Sequence, residues 1–155
     1  MRYLAGLGNY TQTDDAIGPR LIEHVVERGL EQGFVALDLA GRTLDLVLYF
    51  TAETEAIVVV DCARMGLAPG ATRFFTPDDV ATHKVLAGAS THEGDLLRVI
   101  ALARQLGYPI PALVVMGIEP VSTEHGLELS PLLAQKLDGY ARVAVARLRE
   151  LPSPR

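Results

Sequence analysis

The sequence predicts a single α/β domain in three layers (α/β/α), with helices on both faces of a mainly parallel, twisted sheet of five strands. Apolar runs typical of strands alternate along the chain with stretches of helical periodicity. The run Ile57–Val60 contains only β-branched residues, which suits a strand that is buried on both faces of a parallel sheet. With 155 residues, 49% of them hydrophobic and 21% charged, the chain fits one globular domain with a sizeable core.

The first half of the chain predicts three strands and two helices. The apolar run Tyr3–Leu7 ends at a glycine and therefore predicts a buried first strand followed by a loop. From Pro19 onward, apolar residues recur at helical spacing, and proline favours the first helical turn, so a helix should begin between Asp14 and Pro19. The other elements are strands Phe34–Leu39 and Ile57–Val60 and a short helix Leu44–Phe50, which the Thr43 hydroxyl would cap.

The second half continues the alternation. Ser90–Glu93 has the Ser-x-x-Glu form of a capping box, which predicts a helix with His92 in its first turn and an end at Gly107. The remaining elements are an edge strand Thr72–Phe75, a strand Ala112–Met116 and a last amphipathic helix that Ser130-Pro131 opens. The prolines near the C-terminus predict a domain over residues 1–150 and a frayed tail over 151–155.

Charge and cysteine content narrow the function classes. The net charge of −5 gives no electrostatic footprint for a phosphate backbone, so we expect no nucleic-acid partner. Cys62 is the only cysteine, which excludes an intrachain disulfide and a cysteine-rich zinc site and fits a reducing compartment. No apolar run reaches the length of a membrane span, and the N-terminus does not resemble a signal peptide. We therefore expect a cytoplasmic protein without membrane insertion.

Two carboxylates and one imidazole are candidates for a site at the carboxyl edge of the sheet, where ligands collect in such folds. Asp15 follows the loop after the first strand, Asp61 ends the central strand, and His92 begins a helix. Carboxylate oxygen and imidazole nitrogen suit a borderline divalent metal such as nickel or zinc. Three protein ligands would leave coordination positions open for substrate or water.

Each candidate also has a structural interpretation. Asp14 and Asp15 are residues that a helix N-terminus favours, and from spacing alone capping is their more frequent use. Asp61 could bind loop amides, and a single histidine in a capped first turn, such as His92, is more often structural or solvated.

Other polar residues give weaker signals. Cys62 next to Asp61 suggests a thiol nucleophile, but a buried small residue is the preferred interpretation. Glu119, Glu124 and His125 either line the same cleft or solvate a long loop, and the loop interpretation ranks first. Gly6-x-Gly8 lacks the third glycine of a dinucleotide fingerprint, and His24 and His83 are expected to be solvated or locally bonded.

Several segments, taken together and in order, resemble the hydrogenase maturation endopeptidase family. They span nearly the whole chain, which makes the resemblance far more specific than any single segment. The segments are Gly6–Asn9, Thr13–Arg20, Val59–Asp61, Met65–Gly70, Ser90–His92, Gly117–Pro120 and Gly126–Pro131.

The resemblance implies an endopeptidase that removes the C-terminal peptide of a nickel-iron hydrogenase large-subunit precursor after nickel insertion. It implies that Asp15, Asp61 and His92 engage nickel that the precursor supplies. In crystals grown with divalent ions, we expect a surrogate such as cadmium or zinc at the same site. The family has no recognised serine, cysteine or threonine nucleophile. Leu39–Thr43 departs from the glycine-rich loop expected there, which puts substrate recognition in question more than metal binding.

Two other function classes remain open. A non-catalytic nickel-sensing or chaperone module would use the same three side chains to bind a metallated partner without cutting it. Gly6–Asn9 also resembles the start of peptidyl-tRNA hydrolases, but those enzymes have a catalytic histidine where this chain has Asp14-Asp15, and their RNA substrate calls for a basic surface. A free-standing zinc peptidase is disfavoured because the HExxH motif is absent from the sequence.

Overall fold

The computed structural model of the chain describes residues 1–79 and 93–153. Within these ranges the order of elements is the predicted alternation of strands and helices. The predictions for His83, His92 and the Ser90–Glu93 capping box fall outside the described residues, apart from Glu93 itself, where a helix is already present.

Five strands form one mainly parallel sheet, as predicted. The strands are β1 (Arg2–Leu7), β2 (Val35–Ala40), β3 (Ala56–Cys62), β4 (Thr72–Phe75) and β5 (Ala112–Ile118). Their order in the sheet is β2-β1-β3-β5-β4, and only the edge strand β4 runs antiparallel to its neighbour. β3 therefore lies at the centre between β1 and β5, which explains why its side chains are buried along its whole length.

Helices cover both faces of the sheet. They are α1 (Ile17–Glu27), α2 (Glu93–Gln105) and α3 (Pro131–Glu150), with two 3-10 helices at Thr13–Ala16 and Thr43–Tyr49. Alternate residues of β3 enter two separate cores: Val58 and Val60 pack with α1 and α3, whereas Ile57 and Val59 pack with α2 and the second 3-10 helix. This arrangement confirms the three-layer α/β/α class.

Some details differ from the predictions. The expected short helix is the 3-10 helix Thr43–Tyr49, and the expectation that Thr43 caps it is wrong: no side-chain cap bond is present, and the buried Thr43 hydroxyl has no hydrogen-bond partner among the described residues. β5 runs two residues further than predicted, to Ile118, because β4 and β3 both pair with its end. His24 was expected to be solvated or locally bonded; its partner is instead distant in sequence, with Nε2 2.9 Å from Oδ1 of Asp138 in α3.

The end of the chain leaves α3 at Glu150, where the helix was expected to stop. The Arg2 guanidinium then donates hydrogen bonds to the carbonyl oxygen of Leu151 and the hydroxyl of Ser153. Fraying of residues 151–155 stays a prediction. In the described part of the chain, none of the helices combines the length and the hydrophobicity that crossing a bilayer requires.

Candidate active site at the carboxyl edge of the sheet

The start of α1 packs directly against the carboxyl ends of β1 and β3. A methyl group on Gly18 would lie 2.4 Å from the carbonyl oxygen of Leu7 and 2.5 Å from that of Val60. A methyl group on Gly6 would likewise lie 2.4 Å from the carbonyl oxygen of Gly18. Because both positions lack a side chain, helix and strands approach at backbone contact distance. Asp15, three residues before Gly18, is thereby held beside the ends of these strands.

Asp61 lies at this same edge, one residue beyond Val60 in β3, and is 6% exposed. It pairs with Gly117 of the neighbouring strand β5. Val60 and Cys62 belong to the core under α1 and α3, so the Asp61 side chain is on the opposite face of the sheet, which α2 covers. Asp61 therefore lies on the sheet face that α2 covers. The first described residue of α2, Glu93, directly follows His92 in the sequence. Binding of loop amides by Asp61 stays a prediction.

The alternative in which the Asp14 carboxylate caps the helix is wrong, although Asp14 and Asp15 both lie in the first turn of the 3-10 helix Thr13–Ala16, where acidic residues are favoured. The residues at the cap positions, Gln12 and Ala16, make no side-chain cap bond, and the Asp14 carboxylate is directed elsewhere. Asp14 is fully buried, and its two oxygens accept three backbone hydrogen bonds, from Val121, Ser122 and Ser130. Its charge is therefore satisfied by amides of a distant loop.

The Asp15 carboxylate has a different environment from its neighbour. It is half-buried, and its Oδ2 accepts a hydrogen bond from the backbone N–H of Asn9 at 2.9 Å. Burial raises the pKa of the Cys62 thiol, and the carboxylates of Asp61, Asp15 and Asp14 raise it further, in that order. All three carboxylates thus lie within electrostatic reach of one buried thiol, and this thiol is disfavoured as a nucleophile because it stays protonated.

Glu119, Glu124 and His125 do not form one cluster. Glu124 and His125 are exposed, which agrees with the loop interpretation. Glu119 is 6% exposed, and its Oε1 accepts hydrogen bonds from the backbone N–H groups of Met65 (2.7 Å) and Leu67 (3.0 Å). For Glu119 the loop interpretation is therefore wrong, because its carboxylate holds the segment that follows Asp61.

Two carboxylates at this edge are of the chemical type that binds divalent metals. Asp15 and Asp61 supply carboxylate oxygens, and His92, outside the described residues, was predicted to supply an imidazole nitrogen. Within residues 1–79 and 93–153, no three histidine, cysteine, aspartate or glutamate side chains group closely enough to hold a metal ion. The described donors alone thus do not make a closed structural metal site.

Comparison with known proteins places the chain in a family. The profile of the hydrogenase maturation protease family (HycI) matches residues 19–147. The chain belongs to this family. Its peptidase activity follows from that membership, which confirms the predicted resemblance and the hydrolase class. The matched range begins after Asp15 and includes Asp61 and His92, but it assigns no role to a single residue, so the three site residues stay predictions.

Curated relatives agree with the family assignment, and a solved structure shows the same fold. The chain is 33% identical over 146 residues to the hydrogenase expression/formation protein HupD of Rhodobacter capsulatus, covering 93% of this chain and 69% of that protein. It is 28% identical to the hydrogenase 2 maturation protease of Escherichia coli, covering 97% and 92%. The structure of the hydrogenase-maturating endopeptidase HybD from E. coli superposes with a TM-score of 0.76 at 23% identity, covering 97% of this chain and 96% of that one, which shows the shared fold.

Proposed function

We propose that this protein is an endopeptidase that removes the C-terminal peptide of a nickel-iron hydrogenase large-subunit precursor after nickel has been inserted. The observation that carries the proposal is the backbone contact of Gly18 with Val60, because it joins the segment of Asp15 to the strand end that bears Asp61. The names of the relatives, which refer to hydrogenase maturation, support the class of substrate.

Nickel belongs to the substrate in this proposal. Asp15, Asp61 and His92 supply two carboxylates and one imidazole, donors that suit nickel and leave its remaining coordination positions to the precursor. The metal then acts as the recognition element, since a precursor without nickel offers nothing for these side chains to bind. A bound metal also polarises a nearby carbonyl or lowers the pKa of a water that attacks it.

The cut itself is a hydrolysis. Water adds to the scissile carbonyl carbon, the C–N bond breaks, and the products are a new carboxylate and a free amine on the released peptide. Cys62 has no part in it, because its thiol is 3% exposed and its pKa is raised. The lone cysteine fits a reducing compartment, so we assign the reaction to the cytoplasm.

The test is the intact mass of a nickel-loaded large-subunit precursor before and after incubation with this protein, beside a nickel-free precursor of the same sequence. Loss of a C-terminal peptide from the nickel-loaded sample alone is the expected result. Equal loss from both samples would refute nickel recognition. Binding without any change of mass would refute the peptidase and favour the nickel-sensing chaperone.

A further inference from the structure

One loop at the carboxyl edge contacts both segments that carry the candidate acidic donors. We call Glu119–Ser130, which joins β5 to α3, the carboxyl-edge loop. Backbone hydrogen bonds join it to the segment before Asp15: the N–H groups of Thr13 and Asp14 donate to the carbonyl oxygens of Gly126 and Ser122. The loop is therefore a physical link between elements far apart in sequence.

The Asp14 carboxylate is the main link at the Asp15 side. It is fully buried and accepts backbone hydrogen bonds from Ser130 at 2.8 Å, Val121 at 2.9 Å and Ser122 at 3.2 Å. A buried charge that satisfies three amides is costly to disturb, because losing it leaves those N–H groups without acceptors. Asp14 thus fixes the backbone position of its neighbour Asp15 relative to the loop.

Glu119 provides the matching link at the Asp61 side. Its carboxylate binds the amides of Met65 and Leu67, while its backbone N–H and C=O pair with Ala71 and Gly70. Glu119, the residue after β5, therefore binds the segment after Asp61 through four hydrogen bonds.

The Glu119 link also determines which side chain lies beside Asp61. A methyl group on Gly117 would lie 2.9 Å from Met65 Sδ, so the Met65 side chain covers Gly117. Gly117 is the residue paired with Asp61 across the sheet. Glu119 holds the backbone of Met65 and thereby places the Met65 side chain over Gly117, beside Asp61 on this face of the sheet.

We propose that Asp14 and Glu119 are positioning residues for the peptidase: through the carboxyl-edge loop, they hold Asp15 and Asp61 at the spacing that the substrate's metal requires. This inference rests on the proposed function. Neither residue touches substrate; each acts through backbone amides. Small displacements of positioned groups are costly in enzymes, with a shift of about 1 Å able to cost about 100-fold in rate.

The experiment measures initial rates of processing against the concentration of nickel-loaded precursor for Asp14→Asn and Glu119→Gln. Both variants keep the size of the side chain but replace an acceptor oxygen with an NH2 group that cannot accept. We expect kcat/KM to fall about tenfold, mainly through a higher KM because displaced donors bind the substrate's metal more weakly, in protein that circular dichroism shows to be fully folded at the assay temperature. Glu128→Gln, which removes an exposed carboxylate of the same loop, is the charge control and should leave both constants unchanged.

A third variant removes a hydrogen-bond donor instead of an acceptor and leaves both carboxylates in place. Val121→Pro removes one N–H donor to Asp14 at a residue that is 48% exposed, and it should raise KM in the same direction. Unchanged KM in all three variants, or a fall in rate that only follows the folded fraction, would overturn the proposal. If the unmodified protein fails to process the precursor, the proposed function fails instead, so the two failures are distinguishable.

Discussion

Gly18 of α1 lies in backbone contact with Val60 of β3: a methyl group on Gly18 would come within 2.5 Å of the Val60 carbonyl oxygen. This contact joins the two segments that carry Asp15 and Asp61, although 42 positions separate Gly18 from Val60 in the sequence. The geometry of the candidate site therefore depends on a residue that has no side chain.

Replacing Gly18 with alanine should destabilise the protein by about 3 kcal/mol, since the new methyl group overlaps backbone atoms that cannot move aside. The gain in helix propensity of about 1 kcal/mol does not offset this overlap. The measurement is urea unfolding. Gly139→Ala is the matched control: it lies in α3 with nothing within 4 Å of the added methyl group, so it should stabilise by up to about 1 kcal/mol. A neutral Gly18→Ala would contradict the contact.

Replacing Thr43 with valine should leave stability unchanged or raise it by about 1 kcal/mol. The Thr43 hydroxyl is buried without a hydrogen-bond partner among the described residues, and valine has nearly the same shape without the polar group. If the hydroxyl instead capped the 3-10 helix, the change would cost about 1 kcal/mol. The sign of the change in thermal or urea unfolding decides between the two.

Replacing Ala40 with glycine should stabilise the protein by about 0.5 kcal/mol. Ala40 has a φ of +46°, a conformation that costs a residue with a side chain about 1–2 kcal/mol, and glycine loses part of this gain through its freer unfolded state. Its carbonyl oxygen accepts a hydrogen bond from Gly8, which any residue at position 40 retains. As a control, Ala36→Gly in the regular part of β2 should destabilise. Destabilisation by both changes would contradict strain at Ala40.

Replacing Cys62 with alanine should leave processing within about twofold of the unmodified protein. The thiol is buried, and burial together with the neighbouring carboxylates raises its pKa, so it carries no thiolate near neutral pH. For the same reason the folded protein should not react with an alkylating reagent at pH 8, whereas the unfolded protein should. Loss of processing in a folded Cys62→Ala protein would restore the thiol-nucleophile mechanism.

The fold could be predicted from the sequence because the strongest signals in the sequence are local. The β-branched run of β3 and the helical spacing of α1 and α3 each predicted their own element, and alternation then predicted the layers. The partners of Asp14 and Glu119 could not be predicted, because their carboxylates bind backbone amides distant in sequence, and every residue type has such an amide. The sequence contains one hint of these amide partners, an acidic residue beside a glycine- or proline-rich turn. Helix capping accounts for the same pattern equally well.

The measurement that most directly tests the central claim, that Asp15 and Asp61 act together on one substrate-borne nickel, is a double-mutant cycle on precursor processing. Initial rates are compared for Asp15→Asn, Asp61→Asn and the double variant with nickel-loaded precursor. We expect each single change to lower kcat/KM by at least about 100-fold and the double change to cost little more, because residues that act as a unit are not additive. Full activity in either folded single variant, or losses that simply multiply, would contradict the claim.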